Sequence, residues 1–268
     1  MDVAAFKEGQ KTVWSLGEFA DIAALIRSAS ETILDKAGVV SGDTLLDVAC
    51  GTGNLAIPAA ERGAIVTGID ITPKLVEICR AEAAAKGLDM TIEEGDAEAL
   101  EAADESFDKV ISVFGMIFAP QHELAASEMV RVAKPGGTVA ITSWALDGMN
   151  GEMFKVIGSH MPPPPEGMKT PAMWGEESYI EGAFDDSIEW SFSREVVTFE
   201  ADDAEKWFEF MEEKLGPLVL ARTALEPEGK YDALRDDLIA HYEKFNTAED
   251  GGFRGGATYI LAVGKKPA

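Results

Sequence analysis

The sequence predicts a doubly wound α/β fold, in which a largely parallel sheet is covered by helices on both faces. Short apolar runs typical of buried strands occupy positions 44–49, 64–70, 90–94, 109–114 and 138–143. Stretches with helical character lie between them, at 54–62, 73–86 and 123–133. Strands that alternate with helices at this spacing pair in parallel, since each helix returns the chain to the same edge of the sheet.

Flanking segments extend this core within a single domain. Residues 1–40 have apolar side chains at helical spacing and predict an N-terminal helical cap, and 41–144 form the predicted cofactor-binding core. Residues 145–187 are rich in Gly, Pro and Met and predict a loop or lid insertion rather than another βα unit. The remaining part, 188–268, predicts strands at 190–198 and 257–263 and helices at 204–215 and 228–245.

Composition narrows the class of partner. The 268 residues include 48 acidic and 23 basic side chains, for a formal net charge of −25. Such a field repels phosphate backbones and anionic membranes, so we expect no nucleic-acid substrate. No apolar run approaches the roughly 20 residues that a membrane helix requires, so we expect no membrane insertion. Two unpatterned cysteines and the lack of a signal-peptide pattern predict a reduced, cytoplasmic protein, either a monomer or a homodimer.

The sharpest motif is the turn after the first strand, Asp47 to Gly53. Glycines at a strand-to-helix turn let the backbone approach a ligand, and Gly51, Gly53 and Ala56 satisfy the dinucleotide fingerprint. Asp70 ends the second strand 19 residues after Gly51, where a carboxylate accepts hydrogen bonds from ribose hydroxyls. These features predict adenosine binding without separating NAD from S-adenosylmethionine.

Two carboxylates favour S-adenosylmethionine. Asp47 precedes the glycines, where a carboxylate serves an α-amino group better than a pyrophosphate. Asp96, after the third strand, is placed to accept from the adenine 6-amino group.

With these motifs in order, the sequence resembles the class I S-adenosylmethionine-dependent methyltransferases. Within them it is similar to the quinone C-methyltransferase-like (methyltransferase type 11) family. The resemblance runs from Leu45 to Trp144 through LLDVACGTGN, VTGIDIT, EGDAE, FDKVISVFG and RVAKPGG. It implies a Rossmann-like sheet of seven strands with the last one antiparallel.

The resemblance also implies roles for the motif residues. The first motif would hold the methionine moiety, Asp70 the ribose hydroxyls, Ile71 the adenine face and the segment around Asp96 the adenine edge. Similar enzymes that methylate nucleobase amines carry an Asn- or Asp-Pro-Pro-aromatic segment where this chain has Ser112 to Gly115, so we exclude that subclass. No acidic ligands stand there either, and we expect no metal. The predicted cofactor-binding residues are Trp14, Phe19, Asp47, Ala49, Gly51, Gly53, Asp70, Ile71, Asp96, Ala97 and Val113.

The sequence carries fewer indications of where the methyl acceptor binds. Trp14 and Phe19 are predicted either to cover the cofactor or simply to pack a helix onto the sheet. Five of the ten methionines lie between positions 149 and 173, which favours a mobile lid at 146–184 over an apolar acceptor pocket; the alternative is a static loop. His122 and His160 are weak candidates for a general base.

The sequence therefore predicts methyl transfer from S-adenosylmethionine to a small, hydrophobic molecule. Two alternatives stay open: an NAD-dependent oxidoreductase and a non-catalytic protein that binds S-adenosylmethionine.

Overall fold

The computed structural model of the protein describes residues 2–163, 168–185 and 187–268. Its strands are β1 (Thr44–Val48), β2 (Ile65–Asp70), β3 (Thr91–Glu94), β4 (Phe107–Val113), β5 (Ala133–Trp144), β6 (Glu189–Ala201) and β7 (Phe253–Lys265). They form one sheet in the order β3-β2-β1-β4-β5-β7-β6. Every pairing from β3 through β5 is parallel, and β7 runs antiparallel to both β5 and β6. The predicted fold class is confirmed, including the reversed last strand.

Helices cover both faces of this sheet. They are α1 (Val3–Ser15), α2 (Phe19–Leu25), α3 (Arg27–Lys36), α4 (Ala56–Glu61), α5 (Pro73–Ala85), α6 (His122–Val132), α7 (Met149–His160), α8 (Glu177–Ala183), α9 (Ala204–Lys214), α10 (Gly216–Leu225) and α11 (Tyr231–Phe245). Short 3₁₀ turns lie at Met116–Phe118, Pro171–Gly175 and Glu226–Glu228. In the described part of the chain, no helix is both long and apolar enough to cross a membrane.

Side chains that point alternately to the two faces of the sheet form two separate hydrophobic cores. Leu45 and Ile111 face a core with α3 to α5, α7 and α9 to α11, whereas Leu46 and Val110 face a core with α6 and α8. All four side chains are at most 1% exposed. Because successive strand side chains point to opposite faces, a strand buried on both sides has a continuous apolar sequence.

The segment predicted as a loop or lid insertion is partly helical, so that prediction was wrong in its secondary structure. It contains α7, a 3₁₀ turn and α8. Gly151 is required inside α7 because a Cβ there would lie 2.1 Å from the carbonyl oxygen of Ala145. Because glycine is unfavourable inside a helix, a glycine that close packing requires makes a helical segment look like a loop by composition. Part of the proline run, 164–165, and position 167 lie outside the described residues.

The C-terminal part holds three helices where two were predicted. The additional one is α10, which begins at Gly216 with Pro217 in its first turn. Proline is well tolerated at that position because its missing N–H would have no intrahelical partner. A Cβ at Gly216 would lie 2.2 Å from the carbonyl oxygen of Val13, so this residue must be glycine for α10 to pack against α1.

Candidate functional site

One large cavity opens at the carboxyl edge of the sheet. It has about 1340 Å³ of space between protein atoms, counting its open mouth. The strand order reverses between β1 and β4, and crevices at such switch points bind ligands in open α/β sheets. Nine of the eleven predicted cofactor-binding residues line this cavity: Trp14, Phe19, Ala49, Gly51, Asp70, Ile71, Asp96, Ala97 and Val113.

The cavity has two chemically different ends. Its polar end lies beyond β1, β2 and β3 and under α1, and is lined by Lys7, Gln10, Gly51, Asn54, Asp70, Ile71, Thr72, Gly95, Asp96 and Ala97. Its aromatic end lies beyond β4 and β5, and is lined by Phe114, Phe118, Trp144, Asn150, Met153, Phe154, Phe199, Trp207, Met211 and Leu215.

The glycine turn bends sharply between β1 and α4. Ala49, Gly51 and Gly53 all have positive φ, of 59°, 54° and 91°. Gly51 faces the cavity, where a Cβ would lie 3.4 Å from Cε1 of Phe19. Gly53 faces the protein instead, since a Cβ there would lie 2.7 Å from Sγ of Cys79 on α5. The two glycines therefore serve different purposes: Gly51 opens backbone to the cavity, and Gly53 lets the turn pack on α5.

Asp70 joins the ends of β1 and β2. Its Oδ2 accepts a hydrogen bond from the backbone N–H of Gly51 at 2.9 Å, and its Oδ1 accepts from the N–H of Thr72 at 2.8 Å. Burial raises the pKa of this carboxyl, while the two backbone hydrogen bonds oppose the shift. Each carboxylate oxygen has a second lone pair, so Asp70 retains acceptor capacity toward a ligand in the cavity.

Asp96 is already engaged by the protein. Its Oδ2 lies 2.6 Å from Nζ of Lys7, and its Oδ1 accepts from the N–H of Glu98 at 2.9 Å. Lys7 also pairs with Glu98, whose side chain is 1% exposed, at 2.5 Å. No sequence motif indicated Lys7, which lies 89 positions from Asp96. A ligand amine at Asp96 would thus share its acceptor with the Lys7 ammonium.

Helix α1 roofs the polar end. Lys7, Gln10 and Trp14 follow helical spacing and all line the cavity. Trp14 packs edge-on against Phe19 at 5.5 Å between ring centroids and against Phe118 at 4.7 Å. Both readings of the N-terminal aromatics therefore have a structural basis, since these rings pack the cap and also wall the cavity.

Asp47 does not reach the cavity wall. It is 1% exposed within β1, and its Oδ2 has no hydrogen-bond partner among the described residues. Burial raises the pKa of Asp47 to about 8, and the nearby Asp70 charge adds to the shift. Asp47 precedes the glycines as the sequence predicted, but it is not among the residues that line the cavity.

Asn54 is a cavity residue that the sequence prediction passed over. It follows Gly53 directly and lines the polar end, and its buried Nδ2 has no hydrogen-bond partner among the described residues. An unpartnered amide donor beside a positive-φ turn is suited to a ligand oxygen. Its inclusion in the LLDVACGTGN motif was the available indication.

The two candidate histidines lie away from the cavity lining. His122 is fully buried under α8, where its Nδ1 lies 2.7 Å from the Tyr179 hydroxyl. Burial lowers the pKa of His122 to about 4, with a contribution from Lys169. His160 ends α7, where its Nε2 lies 2.8 Å from Oδ2 of Asp237. The structure therefore brings neither imidazole to the site where the other predicted residues gather.

The fold is Rossmann-like, with its cavity at the switch point of the strand order. Residues 45–137 match a family model described as a methyltransferase domain. An uncharacterised protein of Mycobacterium tuberculosis is 40% identical over 179 residues, which cover 66% of this chain and 65% of that protein. The demethylmenaquinone methyltransferase of Thermus thermophilus is 36% identical over 143 residues, covering 53% of this chain and 56% of that enzyme.

A solved structure gives the same picture of the fold. A candidate methyltransferase from Bacillus halodurans superposes with a TM-score of 0.61 at 21% identity, covering 90% of this chain and all of that one (100%). Over residues 45–137 the chain is similar to methyltransferases, in agreement with the class that its ordered motifs predicted. The chain spans less than two thirds of the length of the mycobacterial relative, at 65%.

Proposed function

We propose that this protein transfers a methyl group from S-adenosylmethionine to a small, largely apolar molecule. The observation that carries the proposal is a single cavity whose polar end carries the glycine turn and Asp70, and whose other end is aromatic. A methyl donor and its acceptor need such a shared space, because displacement in line requires their reacting atoms to be close and aligned.

The polar end has the donor set that this cofactor needs. Asp70 would accept from the ribose hydroxyls, and the unpartnered Asn54 amide, beside the Gly51 turn, would donate to the methionine carboxylate. Ile71 and Ala97 would contact the adenine ring, with Asp96 and Lys7 at its edge. When bound, S-adenosylmethionine supplies an activated methyl group on a sulfonium.

The protein's own contribution is then positioning and exclusion of water. The roof of Trp14 and Phe19 would shield the polar end, while Phe114, Phe118 and Trp144 would wall the acceptor side. Aligning reactants in a dry site lowers the barrier without a general base, which matters only where the acceptor loses a proton. This fits a cavity to which neither His122 nor His160 contributes.

The partner predictions follow from charge. A net charge of −25 disfavours nucleic acid and other polyanions as acceptors. We therefore expect a small-molecule acceptor; the cytoplasmic location and the monomeric or homodimeric state stay predictions.

Calorimetry with three ligands tests the proposal. S-adenosylmethionine and S-adenosylhomocysteine should bind at micromolar or tighter levels, whereas NADH should not bind. Preference for NADH would support the oxidoreductase alternative instead. Tight binding of S-adenosylmethionine with no methyl transfer from the labelled cofactor to any compound in a broad acceptor panel would support the non-catalytic alternative.

A further inference from the structure

The aromatic end of the cavity has one conspicuous polar side chain. Among its described residues, Asn150 alone carries an amide, a hydroxyl or a charged group. Asn150 is 7% exposed, and its side chain makes no hydrogen bond within the described part of the chain, although it lines the cavity. An amide that lines an apolar cavity and has no partner in the protein is available to hydrogen-bond a ligand.

Aromatic rings surround this amide. Phe114 stacks on Trp144 with ring centroids 4.0 Å apart and an interplanar angle of 6°. Phe199 stacks on Trp207 at 4.8 Å, and Phe154 packs edge-on against Phe118 at 6.3 Å. Flat apolar walls favour a flat apolar occupant, and the lack of a charged side chain in the described aromatic end disfavours an ionic one.

The helix turn that carries Asn150 is fixed from several sides. The imidazole Nε2 of His241 lies 2.9 Å from the carbonyl oxygen of Met149, and Gly151 packs closely on Ala145. One turn further on, the Tyr242 hydroxyl lies 3.2 Å from Sδ of Met153. A polar group held on a rigid element positions a ligand more accurately than one on a mobile loop.

We propose that the Asn150 carboxamide orients the methyl acceptor by hydrogen bonding to a hydroxyl or carbonyl oxygen on an otherwise apolar, uncharged ring. The inference rests on the proposed function and assigns Asn150 as a positioning and specificity residue for the acceptor. A carboxamide both donates and accepts, so it suits either oxygen group. Because methyl transfer requires alignment with the cofactor, one fixed hydrogen bond would set which atom of the ring faces the methyl group.

A pair of matched probes tests this role. 2-Naphthol and naphthalene differ by one hydroxyl, and their binding is followed through quenching of tryptophan fluorescence with S-adenosylhomocysteine present at saturation. The readout is the ratio of the naphthalene Kd to the 2-naphthol Kd, compared between the wild type and Asn150→Leu. Replacing the amide should lower this ratio roughly three- to tenfold, as expected for one hydrogen bond. Naphthalene itself should bind the variant as well as, or better than, the wild type.

Two further variants make the comparison specific. Ser159→Ala, near the exposed end of the same helix, should leave the ratio unchanged. Asn150→Ala repeats the test with a smaller side chain if the leucine variant has a lowered melting temperature. The proposal is overturned if both Asn150 variants keep the wild-type ratio, or if neither probe binds the wild-type complex.

Calorimetry with S-adenosylhomocysteine separates this result from a failure of the proposed function. The affinity of Asn150→Leu for S-adenosylhomocysteine should match that of the wild type, since Asn150 lies at the aromatic end. A wild-type protein that does not bind S-adenosylhomocysteine would instead contradict the proposed function itself.

Discussion

Asp70 connects local backbone geometry with the proposed binding site. Its two oxygens hold the N–H groups of Gly51 and Thr72, one in the glycine turn and one just before α5. The residue is therefore a structural bridge as well as a ligand candidate. Because the same carboxylate lines the cavity, a substitution should affect both properties to different degrees.

We predict that Asp70→Ala weakens S-adenosylhomocysteine binding by about 1–3 kcal/mol, the usual cost of leaving buried hydrogen-bonding groups unpaired. The variant should still fold, because the carboxylate lies at a strand end, with at most a modest fall in melting temperature. Calorimetry with thermal denaturation checks both, and Asp89→Ala at an exposed position is the matched control. A folded Asp70→Ala protein with wild-type affinity would show that Asp70 does not hold the cofactor.

The buried carboxyl of Asp47 links the stability of the protein to pH. Its carboxyl is enclosed in β1 with one oxygen unpartnered, and burial raises its pKa to about 8. The folded-state pKa thus lies above the unfolded value of about 3.9. Such a group contributes stability that is fully present below the unfolded pKa and is lost as the pH rises through the folded pKa.

We predict that, relative to Asp47→Asn, the wild type loses on the order of 2–3 kcal/mol of unfolding free energy between pH 5 and pH 7. Asparagine resembles the protonated carboxyl in shape and does not titrate. Urea denaturation at intermediate pH values checks this, with Asp89→Asn as an exposed control. Parallel pH dependences for the wild type and Asp47→Asn would mean that Asp47 is ionised in the folded protein at little cost.

At the scale of elements, α1 and α7 border the same cavity but are held differently. None of the α1 residues is buried, and the helix is attached mainly at its C-terminal end, where Lys74 donates to the carbonyl oxygens of Ser15 and Gly17. Its other attachment to the polar end is the pair of Lys7 with Asp96 and Glu98. By contrast, the first turn of α7 is packed on Ala145 and His241.

We predict that α1, rather than the start of α7, responds to ligand. Hydrogen exchange in α1 should be fast in the free protein and should slow when S-adenosylhomocysteine binds, because few buried contacts hold this helix. Exchange in the first turn of α7 should change little. Lys7→Gln should accelerate exchange at 3–9 in the free protein at least roughly three- to tenfold, because it removes the ion pairs of Lys7 with Asp96 and Glu98.

The opposite pattern of hydrogen exchange would support the mobile lid that the sequence predicted. Ligand-dependent protection at 146–184 without a change in α1 would mean that the segment after β5 closes over the site. The two parts of this segment pack in different places. Helix α7 borders the cavity, whereas Trp174 and Ile180 pack into the core with α6 on the other face of the sheet.

For the whole molecule, the cofactor itself would carry the reactive group, so no metal is needed. In the part of the chain that the structure describes, no group of three or more His, Cys, Asp or Glu side chains is arranged to hold a metal ion. Among the acidic residues that the structure describes, Asp47, Asp70 and Glu98 are buried, and the others lie at least partly exposed, many of them in ion pairs such as Arg131 with Glu128.

We therefore predict that S-adenosylhomocysteine affinity and methyl transfer are unchanged by excess EDTA. Calorimetry with and without the chelator gives the first measurement before an acceptor is known. Lost binding or turnover that magnesium restores would contradict metal independence. Dialysis after chelation is the control for direct effects of EDTA on the protein.

The sequence by itself determined the βα order, the glycine turn and the placement of Asp70 and Asp96 at strand ends. These features depend on local pattern, and in a parallel sheet the carboxyl ends of the strands necessarily meet at one edge. The motifs therefore predicted most of the polar end without any knowledge of tertiary contacts.

Only the tertiary structure decided which distant side chains share that edge. It brought Lys7 to Asp96, placed Asn150 and Trp207 in the aromatic end, and left Asp47, His122 and His160 outside the lining. Periodicity reports which face of an element is apolar, but not which other element it meets. Two glycines illustrate this: Gly151 of α7 lies against Ala145, and Gly216 of α10 lies against Val13, with no room for a Cβ. By composition alone, such glycines indicate the end of a helix.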